Sequence, residues 1–313
     1  MKEKFWCDTG FAVTRDYCGL FDLDKWPARN VLEDLGFLRS YAAFEVMESR
    51  GDVVFHYKQH FERLSQALAK LRMPVPLQAG EFLLELEVFL EKKIREVVEI
   101  NRLKSALIYV FVSGGSTNDL FHPSTPSNIF ILAKKFSFAR FKPDKGLKLK
   151  TIPWKREFPE IKTTNYLGAE IALFGVGAMG YDDVLYAPEG VLLETSRANF
   201  FIVKTLPNGR VVINTSFLKD ENGLPFVLSG VTRQIVLMLS EKRDYLVSES
   251  LVLMKHLEET EEAFVVSTTR GVWPVVKIDR IDLAIGPITM KLRKEFLKYR
   301  RNYFENRGVV DKK

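Results

Sequence analysis

The segment Gly80 to Asn101 limits the fold more than any other stretch of the chain. Phe82, Leu83, Leu86, Phe89, Leu90, Ile94 and Val97 recur there at helical spacing, which gives a long helix one apolar face. Directly after it, Ala106 to Val112 is an unbroken apolar run of strand length. A helix with one apolar stripe beside a buried strand calls for a helix-on-sheet layer, so the first half is expected to be α+β. The preceding residues agree. Phe44 to Glu48 alternates like a strand, Ser49-Arg50-Gly51-Asp52 is a turn, and Val53 to Phe55 resumes the strand. A second helix, Tyr57 to Leu71, is ended by Met73-Pro74.

The pattern changes further along. Gly114 to Ser127 holds the densest cluster of Gly, Ser, Thr, Asn and Pro and reads as a surface loop, followed by a strand at Ile129 to Ala133. Lys134 to Lys150 is basic with one Pro and one Gly, and the domain boundary belongs there. The expected division of the 313 residues is a smaller N-terminal α/β domain over 1–136, a linker over 137–145 and a second domain over 146–313. Beyond the linker come short strands at Val191 to Glu194, Phe200 to Lys204, Val211 to Asn214, Phe264 to Ser267 and Val275 to Ile278. Helices at Thr164 to Met179 and Val231 to Leu239 interrupt them, so the second domain is expected to be sheet-rich, in a fold of mixed α/β class.

Composition excludes several classes. At 46% hydrophobic and 27% charged residues the chain is globular, and its longest apolar runs, such as Phe200 to Val203 and Ile235 to Leu239, are far too short to span a bilayer. The N-terminus lacks the apolar stretch of a secretory signal, and Cys7 and Cys18 lack metal or disulfide spacing, so a cytoplasmic protein with reduced thiols is expected. The net charge of +6 concentrates near Lys291, Arg293, Lys294, Lys298, Arg300 and Arg301. Leu292, Phe296, Tyr299 and Tyr303 share that stretch at helical spacing, so it reads as an amphipathic helix with its charged face in solvent rather than as a nucleic-acid site.

Chemistry gathers in the second half. Lys162 stands in Ile161-Lys162-Thr163-Thr164-Asn165-Tyr166, at the mouth of an apolar helix. Glu194 ends an apolar strand in Leu193-Glu194-Thr195-Ser196-Arg197-Ala198-Asn199-Phe200. Leu228-Ser229-Gly230-Val231-Thr232-Arg233 is a turn leading into a helix, and Ser267-Thr268-Thr269-Arg270 caps a strand before Trp273-Pro274-Val275. Taken as an ordered set, these elements resemble the class IV aminotransferases, which include branched-chain and D-amino-acid aminotransferases and aminodeoxychorismate lyase. The resemblance covers roughly residues 30 to 300.

That resemblance implies a two-domain enzyme of fold type IV that uses pyridoxal 5'-phosphate. Lys162 would carry the cofactor and move the proton at the substrate α-carbon; burial favours the neutral amine this requires. Glu194 would sit beside the ring nitrogen, where a carboxylate favours the protonated ring. Tyr166 corresponds to the family's tyrosine near the ring hydroxyl. For the phosphate, His60-Phe61-Glu62-Arg63-Leu64 matches a His-x-x-Arg-Leu element and carries over Arg63. Val231 and Thr232 would offer helix-terminal amides, and Thr268 and Thr269 hydroxyls. A homodimer with shared pockets is also implied, and 24 phenylalanines suit an apolar interface.

Two other features are rejected as sites. His56 and His60 share helical spacing but have no third metal ligand, and the loop Ser113-Gly114-Gly115-Ser116 lacks the Lys-Ser/Thr of a phosphate-binding loop. The N-terminal half departs from the family. Leu38 to Glu45 replaces a glycine-rich stretch, and Ala106 to Phe111 lacks the arginine that commonly holds the substrate carboxylate. Arg39 or Tyr41 is the substitute considered for that carboxylate, with Tyr109 able to add one hydrogen bond; Arg197 and Arg270 are the cations available for a second carboxylate. The expected function is transamination between an amino acid, branched-chain by preference, and a 2-oxo acid such as 2-oxoglutarate. The alternatives are a lyase or a D-specific transaminase on the same scaffold, and a cofactor-free binding protein.

Overall fold

Helix and strand follow the two periodicities of the first half. The computed structural model describes residues 9–14, 17–22, 32–73, 82–138 and 143–308. Cys7, Pro74, the expected helix start at Gly80 and residues 139–142 of the expected linker lie outside these. One compact unit comprises the described residues of Met1–Ser137, Ile161–Asn165 and Tyr303–Lys313. Its elements are β1 (Thr9–Thr14), β2 (Tyr17–Asp22), α1 (Leu35–Arg39), β3 (Ala42–Arg50), β4 (Val53–Val54), α2 (Tyr57–Lys70), α3 (Phe82–Ile100), β5 (Ser105–Ser113) and β6 (Ile129–Lys135). The strands form one six-stranded antiparallel sheet in the order β2-β1-β6-β5-β3-β4.

Alternation along β5 puts Ala106, Ile108, Val110 and Val112 on one face, each fully buried. Leu64 and Leu68 of α2 and Leu86, Leu90, Ile94 and Val97 of α3 close over that face. The opposite face carries Phe44, Val46, Tyr109 and Phe111, all half-buried, with the Phe44 and Phe111 rings stacked 5.6 Å apart.

The second unit comprises the described residues of Phe138–Glu160 and Tyr166–Asn302. It contains β7 (Leu147–Ile152), α4 (Leu167–Ala178), β8 (Asp183–Tyr186), β9 (Val191–Leu192), β10 (Asn199–Thr205), β11 (Val211–Thr215), α5 (Val231–Glu241), β12 (Leu246–Glu249), β13 (Val252–Leu253), β14 (Glu262–Ser267), β15 (Gly271–Ile278), β16 (Ile281–Asp282) and α6 (Pro287–Glu305) up to Asn302. An eight-stranded sheet runs β12-β11-β10-β14-β15-β7-β8, with β16 on β15, and β9 pairs with β13. The main cut falls between Ser137 and Phe138. Two segments expected in the second domain, Ile161–Asn165 and the end of α6, belong to the first unit.

The C-terminal helix departs from the sequence expectation. Leu292 and Phe296 are buried as its spacing predicts, but so are Arg293 and Arg300 from the face expected in solvent. Arg293 Nη1 donates to the carbonyls of Val272 (2.7 Å) and Arg270 (3.1 Å), and the Arg300 guanidinium lies 4.2 Å from the Phe138 ring centre. A long aliphatic stem can follow apolar surface inward when its charged head reaches carbonyls or an aromatic face, which a charge count does not reveal. Among the described residues no helix is long and apolar enough to cross a membrane.

The centre of the larger sheet is aromatic: Phe201 on β10 and Phe264 on β14 are fully buried and stack at 4.9 Å. Phe264→Ala is expected to cost about 3–5 kcal/mol, because the cavity cannot collapse between paired strands. Denaturant unfolding checks this; a midpoint equal to that of the parent chain would contradict it.

Candidate active site

Lys162 is fixed through its backbone. The segment Ile161–Asn165 lies along β3: the Phe44 amide donates to the Lys162 carbonyl at 2.9 Å, the Thr164 amide to the Ala42 carbonyl at 3.1 Å, and Thr163 bridges Ala43. This places the lysine amine 4.5 Å from the centre of the Phe44 ring, on the aromatic face of the six-stranded sheet. Lys162 is half-buried rather than on a charged surface.

One residue along β3 the side chain turns to the other face, where Glu45 is buried. Its carboxylate accepts from Arg63 Nε and Nη2, each at 2.7 Å, and lies 2.7 Å from His60 Nδ1. His60 and Arg63 stand three residues apart on α2 and so meet the same carboxylate. Burial opposes the charge of Glu45, but Arg63 and His60 outweigh it and hold its carboxyl down at about 2. The resulting stabilisation is present above the ordinary carboxylate range and is lost as the pH falls through that value. Burial pushes His60 below its usual value against the pull of Glu45, so a neutral ring donates to the carboxylate. His56, the other histidine of the pair, stacks on Tyr303 at 4.6 Å instead.

The remaining candidates of this unit are placed as follows. Arg39 is exposed, with its guanidinium 4.5 Å from the Phe121 ring centre. Tyr41 packs on Gly114, where a Cβ would come within 2.0 Å of the Tyr41 ring, and its hydroxyl donates to the Leu71 carbonyl at 2.5 Å. Tyr109 lies on the aromatic face, stacked on Phe111 at 6.2 Å with the Lys134 amine 5.4 Å from its ring centre.

In the second unit Glu194 is positioned by a tight turn. Glu194 and Asn199 form a bridge, with the Thr195 amide donating to the Ala198 carbonyl at 2.8 Å, which explains the five-residue step between them. The Glu194 carboxylate is buried and accepts from Arg156 Nε at 3.1 Å, the Leu228 amide at 3.1 Å and Asn199 Nδ2 at 3.3 Å, with Arg156 Nη2 3.0 Å away in the ion pair. Arg156 is itself fixed by donating to the Pro159 carbonyl at 2.6 Å. Burial works against the Arg156 charge and Glu194 outweighs it, so its pKa rises. Tyr166 shares this surrounding; burial raises its pKa while Arg156 opposes, which leaves the hydroxyl a donor.

The same carboxylate reaches the start of α5. Asn199 Nδ2 also donates to the Leu228 carbonyl at 2.8 Å, and a Cβ on Gly230 would lie 2.2 Å from Asn199 Oδ1, so this close approach admits no larger residue. Val231 and Thr232 begin the helix, both buried, and no side chain caps its N-terminus. Val266 pairs with Asn199 between β14 and β10, and the turn holding Thr268 and Thr269 follows two residues later, with Ser267 Oγ 3.5 Å from Thr269 Oγ1. Arg270 turns toward the fully buried Asp183 at 3.8 Å, whereas Arg197 is exposed.

The structure therefore brings together Glu194, Val231 and Thr232 through Asn199 and Leu228, and in the other unit places Arg63 on Glu45 and Lys162 on β3. Sequence reasoning missed Arg156, Glu45 and His60. Arg156 looks like a solvated loop residue between Lys155 and Glu157, and no periodicity marks it. Glu45 carried a signal: it is the charged residue at an inward position of an alternating strand. Among the described residues no group of three or more His, Cys, Asp or Glu could hold a metal.

Residues 42–278 match the model of the amino-transferase class IV family. A Methanocaldococcus jannaschii protein named as a branched-chain-amino-acid aminotransferase is 26% identical over 90% of this chain and 94% of its own length. The D-alanine aminotransferase of Staphylococcus haemolyticus is 23% identical over 88% of this chain and 94% of its own. Among solved structures, the branched-chain aminotransferase of the thermophilic archaeon Thermoproteus uzoniensis with norvaline superposes with a TM-score of 0.77 at 22% identity, covering 96% of this chain and 98% of that one.

Removing one member of a buried ion pair strands the other, so Arg156→Met is expected to cost about 3–5 kcal/mol. Combined with Glu194→Gln, the loss should be smaller than the sum of the two single losses. Urea unfolding of the three variants checks this, and simple additivity would show that the pair does not act as a unit.

Proposed function

Because the chain belongs to the class IV aminotransferase family, whose members depend on pyridoxal phosphate, we propose that it passes an amino group from a branched-chain amino acid to a 2-oxo acid such as 2-oxoglutarate. The observation that carries the cofactor reading is the second unit's donor set: a buried, arginine-paired carboxylate tied through Asn199 to an uncapped helix start. A ring nitrogen and a phosphate require those two kinds of partner.

When bound, pyridoxal phosphate supplies an aldehyde that condenses with amines and a ring that takes up the electrons released at the substrate α-carbon. Lys162 is the residue proposed to hold it, and its Nζ to take the proton from the substrate α-carbon and return it. Glu194 would accept a hydrogen bond from the ring nitrogen and favour its charged form, with Arg156 fixing the orientation of the carboxylate. The Tyr166 hydroxyl donates beside the ring oxygen. Arg63, the amides of Val231 and Thr232, and the hydroxyls of Thr268 and Thr269 hold the phosphate.

The half-buried face of Phe44, Val46, Tyr109 and Phe111 suits an aliphatic side chain, and this supports the branched-chain preference. Of the three residues considered for the substrate carboxylate, Tyr109 shares the aromatic face with Phe44 and Phe111, whereas Arg39 is exposed and the Tyr41 hydroxyl donates to the Leu71 carbonyl. The D-alanine aminotransferases among the relatives support a second reading, a D-specific transaminase. A panel of L- and D-amino acids with 2-oxoglutarate separates the two. Lys162→Ala is expected to abolish turnover and the absorbance band that borohydride removes, and Glu194→Gln to lower turnover by orders of magnitude with cofactor retained. Normal activity in Lys162→Ala would refute the assignment.

A homodimer is part of the same proposal. Leu167, Ile171 and Phe174 on α4 are exposed to 71%, 61% and 87%, an apolar surface of the kind that subunit interfaces cover. Sedimentation at micromolar concentration should give twice the chain mass; a monomer that still transaminates would rule the dimer out.

A further inference from the structure

Asp183 and Arg270 form an ion pair that is incomplete on both sides. Asp183 is fully buried, and its Oδ1 accepts from Ser196 Oγ at 2.6 Å and from the Val184 amide at 2.9 Å. Its Oδ2 is buried without a hydrogen bond, and Arg270 Nη1 stands 3.8 Å from it, beyond hydrogen-bond reach. Among the described residues the Arg270 side chain has no closer acceptor. A guanidinium carries five donors, and at 22% exposure this one has given up most of its water without gaining partners for them. Burial pushes Arg270 below its ordinary value, Arg197 adds to that, and Asp183 and Asp182 do not offset it. The surroundings are short of negative charge.

The place of this cation in the sheet connects it with the site. Thr268-Thr269-Arg270 is the turn between β14 and β15, closed by the pairing of Ser267 with Gly271. Val266 of β14 lies opposite Asn199 of β10, so this turn stands at the same end of the two strands as the turn Glu194–Asn199, which carries Ser196 and Arg197. Ser196 ties that second turn to Asp183, and Tyr186 lies near enough to feel the charges of both Glu194 and Asp183. Arg270 therefore borders the donor set around Glu194. Arg197 is exposed, where water screens a charged contact and leaves it little worth; the contact of an anion with Arg270 is less screened.

We propose that Arg270 is a specificity-determining residue that takes the distal carboxylate of a dicarboxylic 2-oxo acid, an inference that rests on the transaminase reading and on Thr268 and Thr269 lying at the cofactor. The planar fork matches a carboxylate, which supplies the acceptors that Asp183 at 3.8 Å does not. A carboxylate shared by every substrate needs a partner that is always committed to it. Arg270 has a resting counter-charge in Asp183, which suits a carboxylate that only one of the two substrates carries.

The test uses pairs of compounds that differ in that group alone, on the full-length chain loaded with pyridoxal 5'-phosphate: glutarate against pentanoate for binding by calorimetry, and 2-oxoglutarate against 2-oxopentanoate for turnover. The parent should prefer the dicarboxylate in both. Arg270→Gln should lower the preference about tenfold to a hundredfold, Arg270→Lys about threefold to tenfold, and Arg197→Gln less than about threefold. Because Arg270→Gln strands Asp183 in the interior, it is repeated together with Asp183→Asn, which removes both charges and should show the same loss. Asp183→Asn alone should keep the preference. Binding and turnover separate the two readings. A chain without turnover whose glutarate preference depends on Arg270 supports the carboxylate site and refutes the transaminase reading; a chain that transaminates with its preference unchanged in the Arg270 variants refutes the site alone. A preference absent from the parent, lost equally in Asp183→Asn alone, or lost more in Arg197→Gln than in Arg270→Gln also overturns the proposal.

Discussion

A carboxylate can be buried if donors meet its oxygens and a cation balances its charge, and Glu194 is held on those conditions. Arg156 supplies the charge and a donor, and Leu228 and Asn199 supply further donors. Each donor comes from a different part of the chain: the loop after β7, the turn before α5 and the first residue of β10. Satisfying one side chain therefore fixes where α5 begins, why residue 230 is glycine and how closely β10 approaches the turn. Removing the carboxylate would leave the buried Arg156 without its counter-charge, still donating to the Pro159 carbonyl.

Glu45 obeys the same rule in the other unit, with Arg63 and His60 in the place of Arg156 and Asn199. In both cases the arginine is the less buried member, 10% and 9% exposed. Pairing holds each of these side chains in one arrangement.

Much of the fold was legible in the sequence. Strong periodicities decided the helices α2, α3 and α5, because an apolar stripe at i, i+3 and i+4 has one way to be covered. Lys162, Glu194 and Thr232 stood out as a set by order and spacing. Arg156 did not, because its partner is thirty-eight residues away and its neighbours are polar. Nor did Arg293 and Arg300, whose burial depends on carbonyls of β15 and a ring near β7 that no local pattern announces. Local periodicity reports which face is covered; it carries no information about which distant carbonyl or carboxylate a charged side chain will find.

The expected helix start at Thr164 shows where that distinction acts on the site. An apolar run beginning soon after Lys162 reads as a helix from Thr164, yet α4 begins at Leu167. The segment around Lys162 is drawn along β3 instead: Thr163 bridges Ala43 and the Thr164 amide bonds the Ala42 carbonyl, so Thr164 bonds a strand rather than opening a helix. Were the helix to start at Thr164, the Lys162 carbonyl and the Thr164 amide would lose their strand partners, and the lysine would ride on a helix end free to fray. The strand contact exchanges one turn of helix for a fixed backbone at Lys162. A strand pairing holds the base of the lysine's four-carbon stem more exactly than a fraying helix terminus can, and from that base the Lys162 amine lies 4.5 Å from the Phe44 ring centre.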